Sequence, residues 1–246
     1  MSKIHLISYS EDRIFSFTES RKRIQKEAED FGEFDSITLY NENDLDDSVK
    51  EVTKPALEQP RGAGYWIWKP FIIQKKLKEI DEGDFLIYVD IGITLNKHAK
   101  KNFHDLLSLA QSSDHGTVCF HTGHKEKTFC VKEIFEHLEC SDNETLKDTF
   151  QFIAGILIFH KNKNLINLID EWCDIAYNNP MLFTDELADG NQDFEFEENR
   201  HDQAVFSVLR KTKNVEPIIP DPIAYSGTDL HKAYHDHAFW NLHLRS

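Results

Sequence analysis

Apolar and polar positions along the chain alternate between short apolar runs and stretches of helical period. Ile4 to Tyr9 is an apolar strand ending in polar Ser8-Tyr9-Ser10. Phe17, Ile24, Ala28 and Phe31 then fall on one face of a helix, with Lys and Arg opposite. Ser36 to Tyr40 reads as a second strand, and the acidic stretch from Asn41 to Glu51 as a solvated loop or helix. From Pro70 onward Ile73, Leu77 and Ile80 recur at helical spacing, and Gly83 is placed to stop that helix. Phe85 to Asp90 is a third strand, more apolar than the first two. Phe103, Leu106, Leu107 and Ala110 mark another helix, and Thr117 to Phe120 another strand. The longest apolar run is Phe152 to Phe159, interrupted by Ala154-Gly155. A helix from Asn164 to Tyr177 follows, with Leu165, Leu168, Ile169 and Trp172 facing inward. This pitch predicts an α/β fold in one domain over 1–246, a mostly parallel central sheet covered by helices on both faces. Residues 180–199 break the pattern: they carry seven acidic side chains, among them Asp185, Glu186 and Glu198, and few apolar anchors. That segment reads either as a lid or acceptor loop or as a solvated insertion.

Charge narrows the partners. Forty-three acidic against 28 basic residues give a net charge of −15, the wrong sign for nucleic acid, whose phosphates require a basic face. Small anions are not excluded, because a local cluster of cations serves them inside an acidic protein. Cys119, Cys130, Cys140 and Cys173 show neither CxxC spacing nor a zinc pattern, so buried free thiols in a reducing compartment are expected. The chain opens with Met-Ser-Lys and enters a strand at once, without the look of a signal peptide. No apolar run reaches the length of a membrane span. The expectation is a cytoplasmic protein without a transmembrane segment, with peripheral membrane association left open.

The candidate chemistry sits mainly in two places. Arg61-Gly62-Ala63-Gly64-Tyr65-Trp66-Ile67-Trp68-Lys69-Pro70 joins two glycines, three large aromatics and a cation at a helix start. Aromatics stack on sugar rings, whereas cations and helix-start N–H groups hold phosphates. Tyr65, Trp66 and Trp68 are equally well read as core aromatics in a rigid turn. Tyr88-Val89-Asp90-Ile91-Gly92 then places a lone carboxylate at a strand end, where ligands of open α/β sheets bind; an Asx turn fits the same residues. A second carboxylate, Asp202, lies in Glu198-Asn199-Arg200-His201-Asp202-Gln203 ahead of the helical run Ala204, Val205, Val208, Leu209. It reads as a helix N-cap or as a general base, with Arg200 and His201 orienting phosphate. Gln151 offers a donor and an acceptor to hydroxyls, and Lys132 extends a basic stretch begun by Lys125 and Lys127. His235-x-His237 would supply metal ligands if it folds back over a nucleotide. Walker A, GxGxxG and GxSxG patterns are absent.

Together these residues resemble a group of glycosyltransferases found in bacterial surface-polysaccharide loci and in large DNA viruses. The resemblance rests on Gly62 to Pro70, Gly83-Asp84, Tyr88 to Gly92, Lys132, Gln151 and Arg200-His201-Asp202-Gln203, and covers the chain to about Leu209. It implies the GT-A fold, a Rossmann-like nucleotide-sugar domain. It also implies transfer from a nucleotide-diphosphate sugar donor to a glycan or lipid-linked acceptor. Asp90 would match the first carboxylate of the family's Asp-x-Asp motif, which touches ribose and metal, while Gly92 stands where the usual metal ligand would be. A divalent cation, Mn²⁺ or Mg²⁺, would then fall to Asp90 with His235 or His237. Asp202 looks like the acid that deprotonates the acceptor hydroxyl in inverting enzymes of this fold, and Ser8 and Tyr9 would sit at the base. A nucleotide-sugar or glycan-binding module without turnover is the competing class.

Overall fold

The computed structural model describes residues 2–11, 15–220, 223–225 and 237–241. The central sheet has four strands in the order β2-β1-β3-β7: Ile4–Tyr9 (β1), Ser36–Tyr40 (β2), Phe85–Val89 (β3) and Ile156–His160 (β7). β1 pairs in parallel with both β2 and β3, and β7 runs antiparallel to β3. Two smaller sheets flank it. Ile93–Leu95 (β4), Phe239–Asn241 (β10) and Ile223–Tyr225 (β9) form one; Phe150–Phe152 (β6), Cys119–Lys125 (β5) and Ile218–Pro220 (β8) form the other.

Period-two alternation splits each central strand between two cores. Phe85, Ile87 and Val89 of β3 join Leu6, Ile156 and Ile158 on one face. Helices Phe15–Phe31 (α1) and Lys100–Ser112 (α3) cover that face through Ile24, Ala28, Phe31, Phe103, Leu106, Leu107 and Ala110. Leu86 and Tyr88 join Ile7, Leu157 and Phe159 on the other face, under helices Lys69–Glu79 (α2), Lys163–Asn178 (α4) and Asp202–Thr212 (α5). Helices on both faces of a mixed sheet match the reading from the apolar pattern. Three details depart from it. The run from Phe152 to Phe159 is two strands in different sheets, broken at Ala154-Gly155. The second helix ends at Glu79 with Ile80 as its cap, so Gly83 serves the following turn with φ +83°. Residues 180–199 are anchored by buried Leu182, Phe183, Thr184 and Asn199, whereas Phe194 is fully exposed.

Among the described residues no helix is long and apolar enough to cross a membrane. All four cysteines are free, three buried and Cys140 partly so.

Candidate active site

A left-handed turn builds one wall of the site. Residues 62–66 all have positive φ: Gly62 (+61°), Ala63 (+53°), Gly64 (+97°), Tyr65 (+52°) and Trp66 (+57°). Three of them are not glycine, and left-handed backbone costs about 1–2 kcal/mol for each. The two glycines are required by contact as well as by φ. A Cβ on Gly64 would stand 2.6 Å from the Leu57 Cα, and one on Gly62 would stand 2.4 Å from the Trp66 ring. The turn delivers Trp68, whose indole N–H donates to the Gly62 carbonyl at 3.2 Å and whose ring stacks on Tyr9 at 3.8 Å and 16°. Lys69 follows at the start of α2, with Pro70 in the first turn.

Lys69 is the centre of the cluster. The residue is 1% exposed, and its ammonium donates to Asp202 Oδ2 at 2.5 Å and to the Ala154 carbonyl at 3.1 Å. Asp90 Oδ1 lies 3.2 Å away. Three acceptors match three N–H donors. Asp90 comes off the end of β3, its N–H donating to the Gly155 carbonyl at 2.8 Å. Arg23 fixes the next loop by donating to the carbonyls of Ile91 and Ile93. The Tyr88 hydroxyl donates to Asp90 Oδ1 at 2.5 Å, which leaves Oδ2 facing Gly155, where a Cβ would come within 3.0 Å. Asp202 is the first residue of α5, and His201, not Asp202, holds the N-cap position.

Electrostatics sets the two carboxylates apart. Burial, with Asp90 adding to it, pushes the Asp202 carboxyl up to about 6 although Lys69 opposes the shift. Burial alone would lower the Lys69 ammonium, yet Asp202 and Asp90 hold it above its ordinary value. The result is a charged lysine between one carboxylate that titrates near neutrality and another that is one-third exposed.

Hydrogen-bonded polar side chains behind this centre support it. Gln151 is fully buried; it donates to the Phe129 carbonyl at 3.0 Å and accepts from Gln203 at 2.9 Å. Gln203 in turn accepts from the Ala154 N–H at 3.4 Å. Beneath them lies Glu126, wholly buried, taking the Ser207 hydroxyl and the Lys211 ammonium at 2.5 Å each.

His201 has φ +53° and ψ −120° and is 1% exposed. Its Nδ1 lies 3.0 Å from the Phe183 carbonyl, and its ring stacks on Tyr65 at 4.3 Å and near Trp66 at 5.9 Å. Burial lowers its pKa to about 4, so the ring is neutral.

The structure thus unites Lys69, Asp90 and Asp202, with Tyr9 and Trp68 beside them and Gln151 and Gln203 behind. Tyr65, Trp66 and His201 form an adjoining stack. Arg61 bridges Asp185 at 3.8 Å and Glu198 at 3.3 Å, and Arg200 pairs with Glu198 at 2.8 Å. Other residues fall differently. Ser8 is fully buried and its hydroxyl donates to the Val89 carbonyl at 2.7 Å, bracing the strand that carries Asp90. Lys69 has no donor left for a phosphate. Lys132 opens a short helix beside the acidic segment, where its N–H donates to Gln192 at 2.8 Å. His235 lies outside the described residues. His237 accepts from Asn96 through its carbonyl at 3.0 Å.

No group of three His, Cys, Asp or Glu side chains among the described residues is gathered to hold a metal, and Oδ1 of Asp90 is taken by Lys69 and Tyr88. That leaves Oδ2 of Asp90 for a cation, and His235, its expected co-ligand, lies outside the described residues. Gly92 has ordinary φ and open space around it, so the backbone does not demand glycine where a second carboxylate would stand.

Sequence reading overlooked Tyr88, although residues two apart on a strand share a face and Tyr88 precedes Asp90 by two. Nothing in the local pattern marked Glu126.

A cavity of about 390 Å³ opens at the end of β1, lined by Tyr9, Leu45, Lys50, Lys54, Leu57 and Ala63 among others. A second, of about 310 Å³, lies beside the Tyr65–His201 stack.

No protein-family model matches the sequence, and no curated protein matches it. Among solved structures the chain is similar to a glycosyltransferase involved in the glycosylation of the major capsid of PBCV-1. That match has a TM-score of 0.53 and 10% identity over 99% of this chain and 94% of the other. The apo form of mouse xyloside xylosyltransferase 1 matches with a TM-score of 0.48 and 10% identity over 98% of each chain. Apo GlyE of Streptococcus pneumoniae TIGR4 matches with a TM-score of 0.45 and 12% identity over 98% of this chain and 55% of its own. With its central sheet between helical layers, the chain has the fold of the GT-A glycosyltransferases.

Proposed function

We propose that this protein is a glycosyltransferase that moves a sugar from a nucleotide-diphosphate donor to a glycan or lipid-linked acceptor in surface polysaccharide or glycan synthesis. The observation that carries the reading is the buried Lys69 joining a strand-end carboxylate to a helix-start carboxylate at the C-terminal edge of parallel strands. The likeness to the PBCV-1 glycosyltransferase supports the fold it needs.

In this reading the base enters the cavity at Tyr9, whose ring is backed by Trp68. The exposed oxygen of Asp90 takes a donor hydroxyl. Asp202, mostly ionised at neutral pH with its carboxyl raised to about 6, accepts the acceptor's proton as its hydroxyl attacks. Lys69 holds both carboxylates and steadies their charge; Arg200 and Lys132 are left as the cations for the departing diphosphate. No step runs through a metal. Divalent-cation assistance through Asp90, His235 and His237 remains a separate proposal, and donor hydrolysis that survives excess EDTA removes it. Free thiols fit a reducing compartment, so we place the protein in the cytoplasm, meeting lipid-linked acceptors at a membrane face.

One observation favours a binding module without turnover: Asp202 is 4% exposed and paired with lysine, as a structural ion pair would be. Thermal shift with nucleoside diphosphates tests donor binding, since a ligand that binds only the folded state raises Tm. A rise with at least one diphosphate, larger than with its nucleoside, is expected. No rise with any of them contradicts both readings.

A further inference from the structure

We propose that the 310 Å³ cavity beside His201 is the acceptor subsite, and that it takes an uncharged polyhydroxylated sugar ring and rejects anionic sugars. This inference rests on the glycosyltransferase reading above. The cavity is lined by Arg61, Tyr65 and Asn199 and by four carboxylates, Asp185, Glu186, Glu197 and Glu198. One guanidinium against four carboxylates makes it unfit for a donor diphosphate, because like charges repel strongly near a protein surface. Hydroxyl groups suit it, since carboxylates accept hydrogen bonds from them and Arg61 donates to their oxygens. The ion pairs of Arg61 with Asp185 and Glu198 are 38–43% exposed on both sides. Such pairs are worth little and exchange readily for ligand contacts.

An independent observation points to a missing donor beside the cavity, behind Tyr65 and Asp185. The Phe183 carbonyl can only accept, so His201 Nδ1 carries the proton and Nε2 presents a bare lone pair. That lone pair is buried and has no hydrogen-bond partner. Oδ1 of Asp185, which lines the cavity, lies 3.6 Å away and is also an acceptor. A ligand O–H directed at Nε2 supplies the donor it lacks. Leaving a buried acceptor unmet is costly, and His201 is held there in strained backbone. Such strain persists where surrounding contacts over-determine it, and it clusters at functional sites. His201 is next in sequence to Asp202, the carboxylate that receives the acceptor's proton in the reading above.

Saturation-transfer NMR on the intact protein tests this with methyl β-glucoside, methyl β-galactoside, methyl β-xyloside and methyl β-glucuronide. At least one neutral glycoside should bind in the millimolar range, and the glucuronide should not. Asp185→Asn, at a half-exposed position, should weaken the neutral glycoside roughly fivefold or more. Combined Glu186→Gln and Glu197→Gln should admit the glucuronide. Nucleoside diphosphate binding, read by calorimetry on the same variants, should not change, and its absence in the parent would sink the glycosyltransferase reading separately. Failure of every neutral glycoside to bind overturns the subsite. So does equal binding of the glucuronide, or an Asp185→Asn variant with unchanged affinity.

Discussion

Replacing Asp202 with asparagine should leave the protein more stable and far less active at neutral pH. Burial and Asp90 raise this carboxyl from 3.8 to about 6 in the folded chain. Between those values the native state keeps a proton that the unfolded chain has released. The stability this group contributes is therefore complete below pH 3.8 and is lost as pH rises through about 6. The rise corresponds to about 3 kcal/mol. A permanently neutral isostere escapes that loss. Removing one member of a buried ion pair usually costs about 3–5 kcal/mol, because the other charge is left bare. Lys69 is not left bare here: Asp90 and the Ala154 carbonyl remain, and the introduced amide offers an oxygen. Asp202→Asn should thus gain up to about 3 kcal/mol at pH 8, a Tm increase of up to about 6–12 °C for a chain of this length. Near pH 4 variant and parent should melt together. Turnover should fall by roughly a hundredfold to ten-thousandfold, the usual loss when a positioned base is removed. The parent's kcat/KM should climb with pH through about 6, and the variant's profile should be flat there. Thermal melts at three pH values, paired with turnover, read all of this. A variant that melts below the parent at pH 8 and loses activity only in step with its folded fraction refutes the reasoning and makes Asp202 structural.

Three further outcomes follow from the same geometry. Lys69→Met leaves Asp90 and Asp202 facing each other without a cation, and should cost about 3–5 kcal/mol in urea denaturation at pH 8. Much of that loss should return near pH 5, where Asp202 regains its proton. Gly155→Ala puts a methyl 3.0 Å from Asp90 Oδ2; it should shift that carboxylate and cut turnover at least about tenfold, with little change in the urea midpoint. Gly64→Ala meets the Leu57 Cα at 2.6 Å with φ at +97°, and should destabilise by more than the roughly 1–3 kcal/mol of a strained residue alone.

Much of the fold is legible from periodicity, because both central-strand faces and one face of each long helix are buried. Ser36–Tyr40 and the helix bearing Leu165, Leu168, Ile169 and Trp172 appear nearly as read. The three-sheet arrangement is not legible. β6 and β7 are both apolar, and only the break at Ala154-Gly155 hints that they diverge into different sheets. For the site, Asp90, Asp202 and Lys69 stand out by residue type, but their mutual contact spans 133 positions and has no local signature. That contact changes Lys69 from a phosphate ligand into the group that binds two carboxylates together. The hydroxyl of Ser8 is similarly taken by the strand pairing of β1 with β3. The strain at Tyr65, Trp66 and His201 is invisible to residue type, since none of them is glycine.

The central claim, donor turnover at the Lys69–Asp90–Asp202 cluster, is tested most directly by incubating the protein with nucleotide-diphosphate sugars of varied base and sugar and following release of the nucleoside diphosphate. The account predicts release from at least one donor, reduced at least a hundredfold in Asp202→Asn while that diphosphate still binds the variant. No release from any donor, or release undiminished in Asp202→Asn, would contradict it.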